Sequence, residues 1–176
     1  MMAFIPPAYV SQDELADRVG ALARALVPRL RCEPIVIGVM KGAFMFTADL
    51  VRQFHALGIA PRLDFITVSS YGFGAQRADA VAIVQDHSLE VNQAQVVLVE
   101  DIIDSGHTLK TLQSHFINKG VAELLTVVLL DKPSGRATSV LVDSVGFTVP
   151  DGFWVGYGLD YAGNYRGLPY IARIQP

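Results

Sequence analysis

Apolar side chains along this chain recur with two periods, and the two periods take turns. Leu15, Val19, Leu22, Leu26 and Leu30 fall at helical spacing after Ser11-Gln12-Asp13-Glu14, a capping-box pattern that marks a helix start. Pro34 closes that helix, and the unbroken apolar run PIVIGVM after it predicts a buried strand. Residues 42 to about 57 return to helical spacing, with Gly58 as terminator. RLDFITVSS predicts a second strand, VAIVQD another and VVLVED the next. A helix follows over 107–119, ending near Gly120, and ELLTVVLLD is a strand with little polar alternation, as when both faces are covered. Strands and helices that alternate in this way predict an α/β fold, a mainly parallel twisted sheet flanked by helices. The core of this single domain spans about 30–140. The tail, about 140–176, holds short strand-like pieces, WVGY and YIARI, and with the N-terminus forms a small hood over the strand ends.

Composition narrows this picture. Half of the 176 residues are hydrophobic and under a fifth are charged, which excludes a disordered chain. No apolar run reaches the roughly 18 residues of a membrane span, and the N-terminus lacks the basic start of a secretory signal. Cys32 is the only cysteine, which leaves no internal disulfide and no cysteine-built zinc site. A soluble cytoplasmic protein is expected, without a membrane partner. A net charge of −3 offers no general attraction for nucleic acid, so none is expected as partner. His55, His87 and His115 show no metal-ligand spacing and read as structural.

The chemistry concentrates in VVLVEDIIDSGHTL, residues 96–109. Ligands in open α/β sheets bind beyond the carboxyl ends of the strands, where Glu100 and Asp101 should lie. Neighbouring carboxylates repel, and burying them alone is costly, so the pair points to a cation, a polyhydroxy ligand, or both. Asp104-Ser105-Gly106-His107-Thr108 then turns into a helix, where free amides and the helix dipole favour a phosphate. Acids for hydroxyls beside an amide cup for phosphate describe a sugar-phosphate site. Neither the Walker pattern nor a G-x-G-x-x-G fingerprint fits.

This motif resembles the phosphoribosyl-pyrophosphate signature of the type I phosphoribosyltransferases, most closely the hypoxanthine-guanine branch. Further matches run in family order from about residue 35 to 171. VMKGAFMF resembles the loop in which Lys41 and Gly42 bind pyrophosphate, often beside a non-proline cis peptide. Ser70-Tyr71 with GFGAQRADA resembles the lid that closes over the site. LLDKPSGR resembles the segment whose lysine, here Lys132, reads the purine 6-oxo group. DGFWVGYGLDYAGNYRGLPYI resembles the base-binding segment: Phe153 or Trp154 would give the purine an aromatic face, Asp160 would bind magnesium at the purine site, and Arg166 would contact pyrophosphate.

The resemblance implies magnesium-dependent transfer of 5-phosphoribosyl from phosphoribosyl pyrophosphate to N9 of hypoxanthine or guanine. Glu100 and Asp101 would hold the ribose and, with Asp160, the Mg2+. Asp104 would be the general base, and Ser105, Gly106, His107 and Thr108 would hold the 5-phosphate. Members of the family are usually homodimers or homotetramers, and apolar stretches such as FMFTADLVRQF leave room for an interface. Two rival readings stay open: a nucleic-acid-binding regulator on the same fold, and a xanthine-preferring transferase.

Overall fold

The computed structural model describes residues 5–31, 33–70 and 81–175. Its larger sheet has six strands in the order β4-β3-β2-β5-β6-β7. These are β2 (Ile35–Met40), β3 (Arg62–Ser70), β4 (Val81–Gln85), β5 (Gln95–Ile103), β6 (Glu123–Asp131) and β7 (Ser144–Thr148). All neighbours run parallel except the edge strand β4, which returns antiparallel to β3. A second sheet of three antiparallel strands joins β1 (Ala8–Val10) to β9 (Ile171–Ile174) and β9 to β8 (Phe153–Val155).

Alternate residues of the central strands feed two cores. Val36, Val97, Val99, Leu125, Val127 and Leu129 face helices α1 (Gln12–Leu26) and α2 (Phe44–Ala56). Ile35, Ile37, Val96, Leu98 and Val128 face α3 (His107–Asn118) through Leu109, Leu112 and Phe116. Burial on both faces explains why these strands read as continuous apolar runs. Trp154, Tyr157, Leu159 and Ile171 of the hood join the first core, so the small sheet is packed onto the same layer as α1 and α2.

Local signals act as their chemistry requires. Ser11 and Glu14 form the capping box, each side chain satisfying the other's backbone amide. Gly58 and Gly120 take positive φ just beyond α2 and α3, where left-handed backbone lets the last carbonyls find donors.

Four expectations need correction. The first helix stops at Leu26, before Pro34, because Val27–Arg29 tightens into a 3-10 turn around Pro28. β5 runs past Asp101 to Ile103, so the acids lie within the strand's last turns of pairing and not beyond it. Ser144–Thr148, expected in the hood, pairs with β6 as the sixth strand of the main sheet. The most apolar face of FMFTADLVRQF is buried inside the chain through Phe46, Leu50 and Phe54, which leaves the interface expected there to the half-buried Phe44, Met45 and Val51.

Two neighbours on α3 test this arrangement. Phe116 is fully buried and Ile117 is 65% exposed. Phe116→Ala should lower unfolding free energy by about 3–5 kcal/mol, whereas Ile117→Ser should stay within about 0.5 kcal/mol. Urea unfolding of both variants measures the contrast, and equal losses would contradict the assigned helix face.

Candidate active site

The paired acids set the character of the strand-end cavity. Glu100 is 5% exposed; among the described residues no partner reaches its Oε2, and Oε1 accepts a long bond from the Asp101 amide at 3.3 Å. Asp101 turns toward the cavity, with Oδ1 accepting from Ile102 N at 2.8 Å. Burial pushes both carboxyls above the ordinary range, Glu100 the further because the Asp101 charge adds to the effect. For Asp101, bonds from Glu100 and the backbone and the charge of Arg166 act in the opposite direction. Two acids that resist ionisation together, one with an orphaned oxygen, match the donor set a hard cation takes.

Gly42 makes this placement sterically allowed. A Cβ at Gly42 would overlap the Asp101 carboxylate, so the loop after β2 lies directly on the acid. That loop begins with a cis peptide between Met40 and Lys41. From the other side, Gly158 at φ 104° rests on the Gly42 carbonyl. The hood turn is held there by the Tyr157 hydroxyl, which donates to Asp49 Oδ2 of α2 at 2.6 Å. This turn presents Asp160 and Arg166: Arg166 donates to the Gly158 carbonyl and to Asp160 Oδ1, both at 2.6 Å.

The turn after β5 is shaped for an anion. Gly106 has φ 90°, outside the comfort of other residues, and caps α3 without any side-chain bond. No acid occupies the first turn of α3, so its dipole is not neutralised locally. Ser105, Gly106 and Thr108 line a cavity of about 350 Å³ with Lys41, Gly42, Glu100, Asp101, Asp104, Asp160 and Arg166. His107 does not line it; its Nδ1 lies 3.3 Å from the Thr138 hydroxyl.

A second cavity, about 270 Å³, opens beside the first and shares Asp101, Ile102, Asp104 and Asp160 with it. Lys132, Gly152, Phe153, Trp154 and Leu159 complete its walls. Lys132 is buried, with Nζ 2.8 Å from Asp104 Oδ2 and 3.6 Å from Asp151. Phe153 keeps an exposed face and meets Tyr161 edge-on at 5.3 Å. Trp154 points the other way, as strand alternation demands: its ring packs on Tyr9 at 4.6 Å and its Nε1 donates to Pro150 O. The aromatic face in this cavity is therefore that of Phe153.

Of the residues singled out in the sequence, all but His107, Ser70 and Tyr71 meet around these joined cavities. Ser70 ends β3 opposite Val81, but its side chain and Tyr71 lie outside the described residues. Sequence reasoning missed the residues that brace the turn. Arg136 donates from Nε to the Asp104 carbonyl and pairs with Asp131, and Ala137 and Thr138 amides both bond the Ser105 carbonyl at 3.0 Å. Gly135 leaves room for the Asp104 carboxylate, which a Cβ would strike. Only the Ser-Gly pair in LLDKPSGR hinted at a tight turn, and nothing local pointed from it to Asp104.

The model of the phosphoribosyl transferase domain matches residues 10–162. Hypoxanthine-guanine phosphoribosyltransferase of Bacillus subtilis is 42% identical over 95% of this chain and 92% of its own length. Bifunctional Listeria proteins match at the same identity, but the chain spans only 26% of their length. Among solved structures, a Bacillus anthracis hypoxanthine-guanine phosphoribosyltransferase superimposes with TM-score 0.90 at 38% identity, covering 98% of this chain and 100% of that one. The Trypanosoma cruzi hypoxanthine phosphoribosyltransferase in complex with IMP gives TM-score 0.89 at 34% identity, over 100% and 98%. Agreement that runs end to end, and not over one motif, shows that the chain belongs to the phosphoribosyltransferase family, on its hypoxanthine-guanine branch.

Proposed function

We propose that this protein serves purine salvage, transferring 5-phosphoribosyl from phosphoribosyl pyrophosphate to N9 of hypoxanthine or guanine. The junction of the two cavities at Asp101, Ile102, Asp104 and Asp160 carries the reading. One side suits a phosphorylated sugar and the other suits a flat base, so their shared wall is where sugar and base would be joined. The products are the purine nucleotide and pyrophosphate. A cytoplasmic setting accords with the lone Cys32, and a homodimer or homotetramer is the assembly we expect.

The turn Ser105–Thr108 holds the 5-phosphate by backbone amides and hydroxyls. Glu100 and Asp101 orient the ribose hydroxyls, while Lys41, Gly42 and Arg166 grip the pyrophosphate. Phe153 stacks on the purine and Lys132 donates to its 6-oxo oxygen. N9 forms its bond to the anomeric carbon as the carbon–oxygen bond to pyrophosphate breaks, with the electron pair leaving on pyrophosphate. Asp104 takes the proton released from the purine's imidazole ring. Glu100, Asp101 and Asp160 fit magnesium, which would supply charge neutralisation for the departing pyrophosphate. Closure of Ser70-Tyr71 over the site would keep water from the activated sugar.

Three measurements test the assignments. Asp104→Asn should cut kcat about 10²- to 10⁴-fold while the KM for phosphoribosyl pyrophosphate changes little. Near-native turnover would remove Asp104 as the base. Lys132→Ala should raise the KM for hypoxanthine and guanine about 10- to 100-fold, the worth of a charged hydrogen bond, and an unchanged KM would end its reading role.

The third concerns pH. Because burial raises the folded pKa of Glu100 above its ordinary 4.5, its contribution to stability is present below about pH 4.5 and lost as pH climbs through the raised value. Metal-free Glu100→Gln should therefore melt higher than the parent at pH 7.5 and no higher at pH 4. Magnesium should raise the parent's Tm at pH 7.5 and leave the variant's nearly unmoved. An equal magnesium response in both proteins would sink the magnesium role of Glu100.

A further inference from the structure

Away from the strand-end cavities, three side chains converge where β4 leaves the sheet and α3 ends. Asp86 and His87 begin the connection from β4 to β5, and His115 sits in the last turn of α3. Asp86 Oδ1 lies 3.0 Å from His115 Nε2 and 3.5 Å from His87 Nε2, and the three atoms fall within 4.8 Å of one another. Tetrahedral bonds of 2.0–2.2 Å to nitrogen and oxygen place ligand atoms about 3.3 Å apart, a spacing these distances bracket.

The state of His87 distinguishes this cluster from an ordinary surface ion pair. Its side chain is 2% exposed, and its Nδ1 stands 2.9 Å from the Leu89 carbonyl. A carbonyl can only accept, so Nδ1 carries the hydrogen. In the neutral ring, Nε2 then presents a bare lone pair to the cluster. That nitrogen is buried and has no hydrogen-bond partner among the described residues, since without a hydrogen it cannot donate to Asp86 Oδ1 3.5 Å away. An imidazole whose far nitrogen donates to a backbone carbonyl, leaving the near lone pair free, is the usual posture of a metal-binding histidine.

The rings are also held before any ion arrives. His87 stacks on Phe116 at 5.3 Å, and His115 meets the same ring edge-on at 5.5 Å. Lys119 binds the other oxygen of Asp86 at 3.0 Å, which leaves Oδ1 facing the imidazoles. Asp86 is exposed and His115 is partly so, which gives an ion a way in from solvent.

We propose that Asp86, His87 and His115 form a binding site for a divalent transition ion of the zinc class, distinct from the strand-end acids. Two imidazoles and a single carboxylate favour zinc, cobalt or nickel over magnesium, which prefers oxygen alone. On binding, His115 gives up to solvent the Nε2 hydrogen it donates to Asp86, and its Nδ1 carries one instead, so that the neutral ring offers its Nε2 lone pair to the metal. The ion ties the exit of β4 to the end of α3.

The test strips the full-length protein with a chelator, then titrates Zn2+ against a chromophoric competitor and follows Tm. The parent should bind one equivalent and melt higher. His115→Gln and Asp86→Asn, both at partly exposed positions, should weaken that binding at least about tenfold and abolish the Tm rise. Glu100→Gln, at the other acid cluster, should leave it intact. Co2+ in place of Zn2+ should give visible absorption that His87→Gln removes, with circular dichroism checking that the fold survives. Unchanged zinc affinity in His115→Gln and Asp86→Asn, or loss of the binding in Glu100→Gln, would overturn the site and leave the cluster as a hydrogen-bonded clasp.

Discussion

Two carboxyls buried side by side at the end of β5 constrain everything placed around them. Glu100 and Asp101 repel, and the interior penalises both charges. The fold tolerates them because neighbouring parts are shaped to their presence. Gly42 clears space for Asp101, Gly158 lies over Gly42, and Arg166 brings an opposing charge from the hood. A larger residue at either glycine would part these layers. The same stack therefore fixes the distance between the loop after β2, the acids and the hood.

A second restraint governs the acid three residues further on. Asp104 is positioned by Lys132 on one oxygen, by the absence of a side chain at Gly135, and by Arg136 on its own backbone carbonyl. All three partners come from the single segment after β6. The parallel pairing of β5 with β6, which sets Ile103 opposite Asp131, brings that segment alongside the anion turn. Register in the sheet thus becomes alignment between the sugar cavity and the base cavity. A one-residue slip would turn every side chain to the wrong face.

Local chemistry was legible in the sequence; contact between distant residues was not. The runs RLDFITVSS and ELLTVVLLD match β3 and β6 to the residue; in β6 burial on both faces leaves a nearly unbroken apolar pattern, while the half-buried β3 is marked by its aromatic and β-branched stretch Phe65–Val68. The capping box and the terminal glycines of α2 and α3 were equally plain, being satisfied within one turn. Ser144–Thr148 escaped because an edge strand, half-exposed and partly polar, carries no such signal. Alternation alone lets only one of Phe153 and Trp154 face the base, and the family resemblance favours Phe153; the pairing of β8 with β9 turns Trp154 away from the cavity. Spacing along the chain also separated His87 from His115. It is the packing of α3 against the exit of β4 that brings them together.

Helix α3 separates two kinds of ligand chemistry at its ends. Its amino terminus faces the strand-end cavity, where the side chains offered to a cation are carboxylates and the helix dipole favours phosphate. Its carboxyl terminus carries His115 and Lys119 toward Asp86, where imidazole nitrogen dominates. A hard ion such as magnesium gains little from imidazole, and a borderline ion gains most from it. With the sites at opposite ends of a 12-residue helix, roughly 18 Å long, neither ion need compete for the other's ligands. The identity of the donor atoms would sort the ions. Affinity alone would not, since zinc generally outbinds magnesium wherever nitrogen is present.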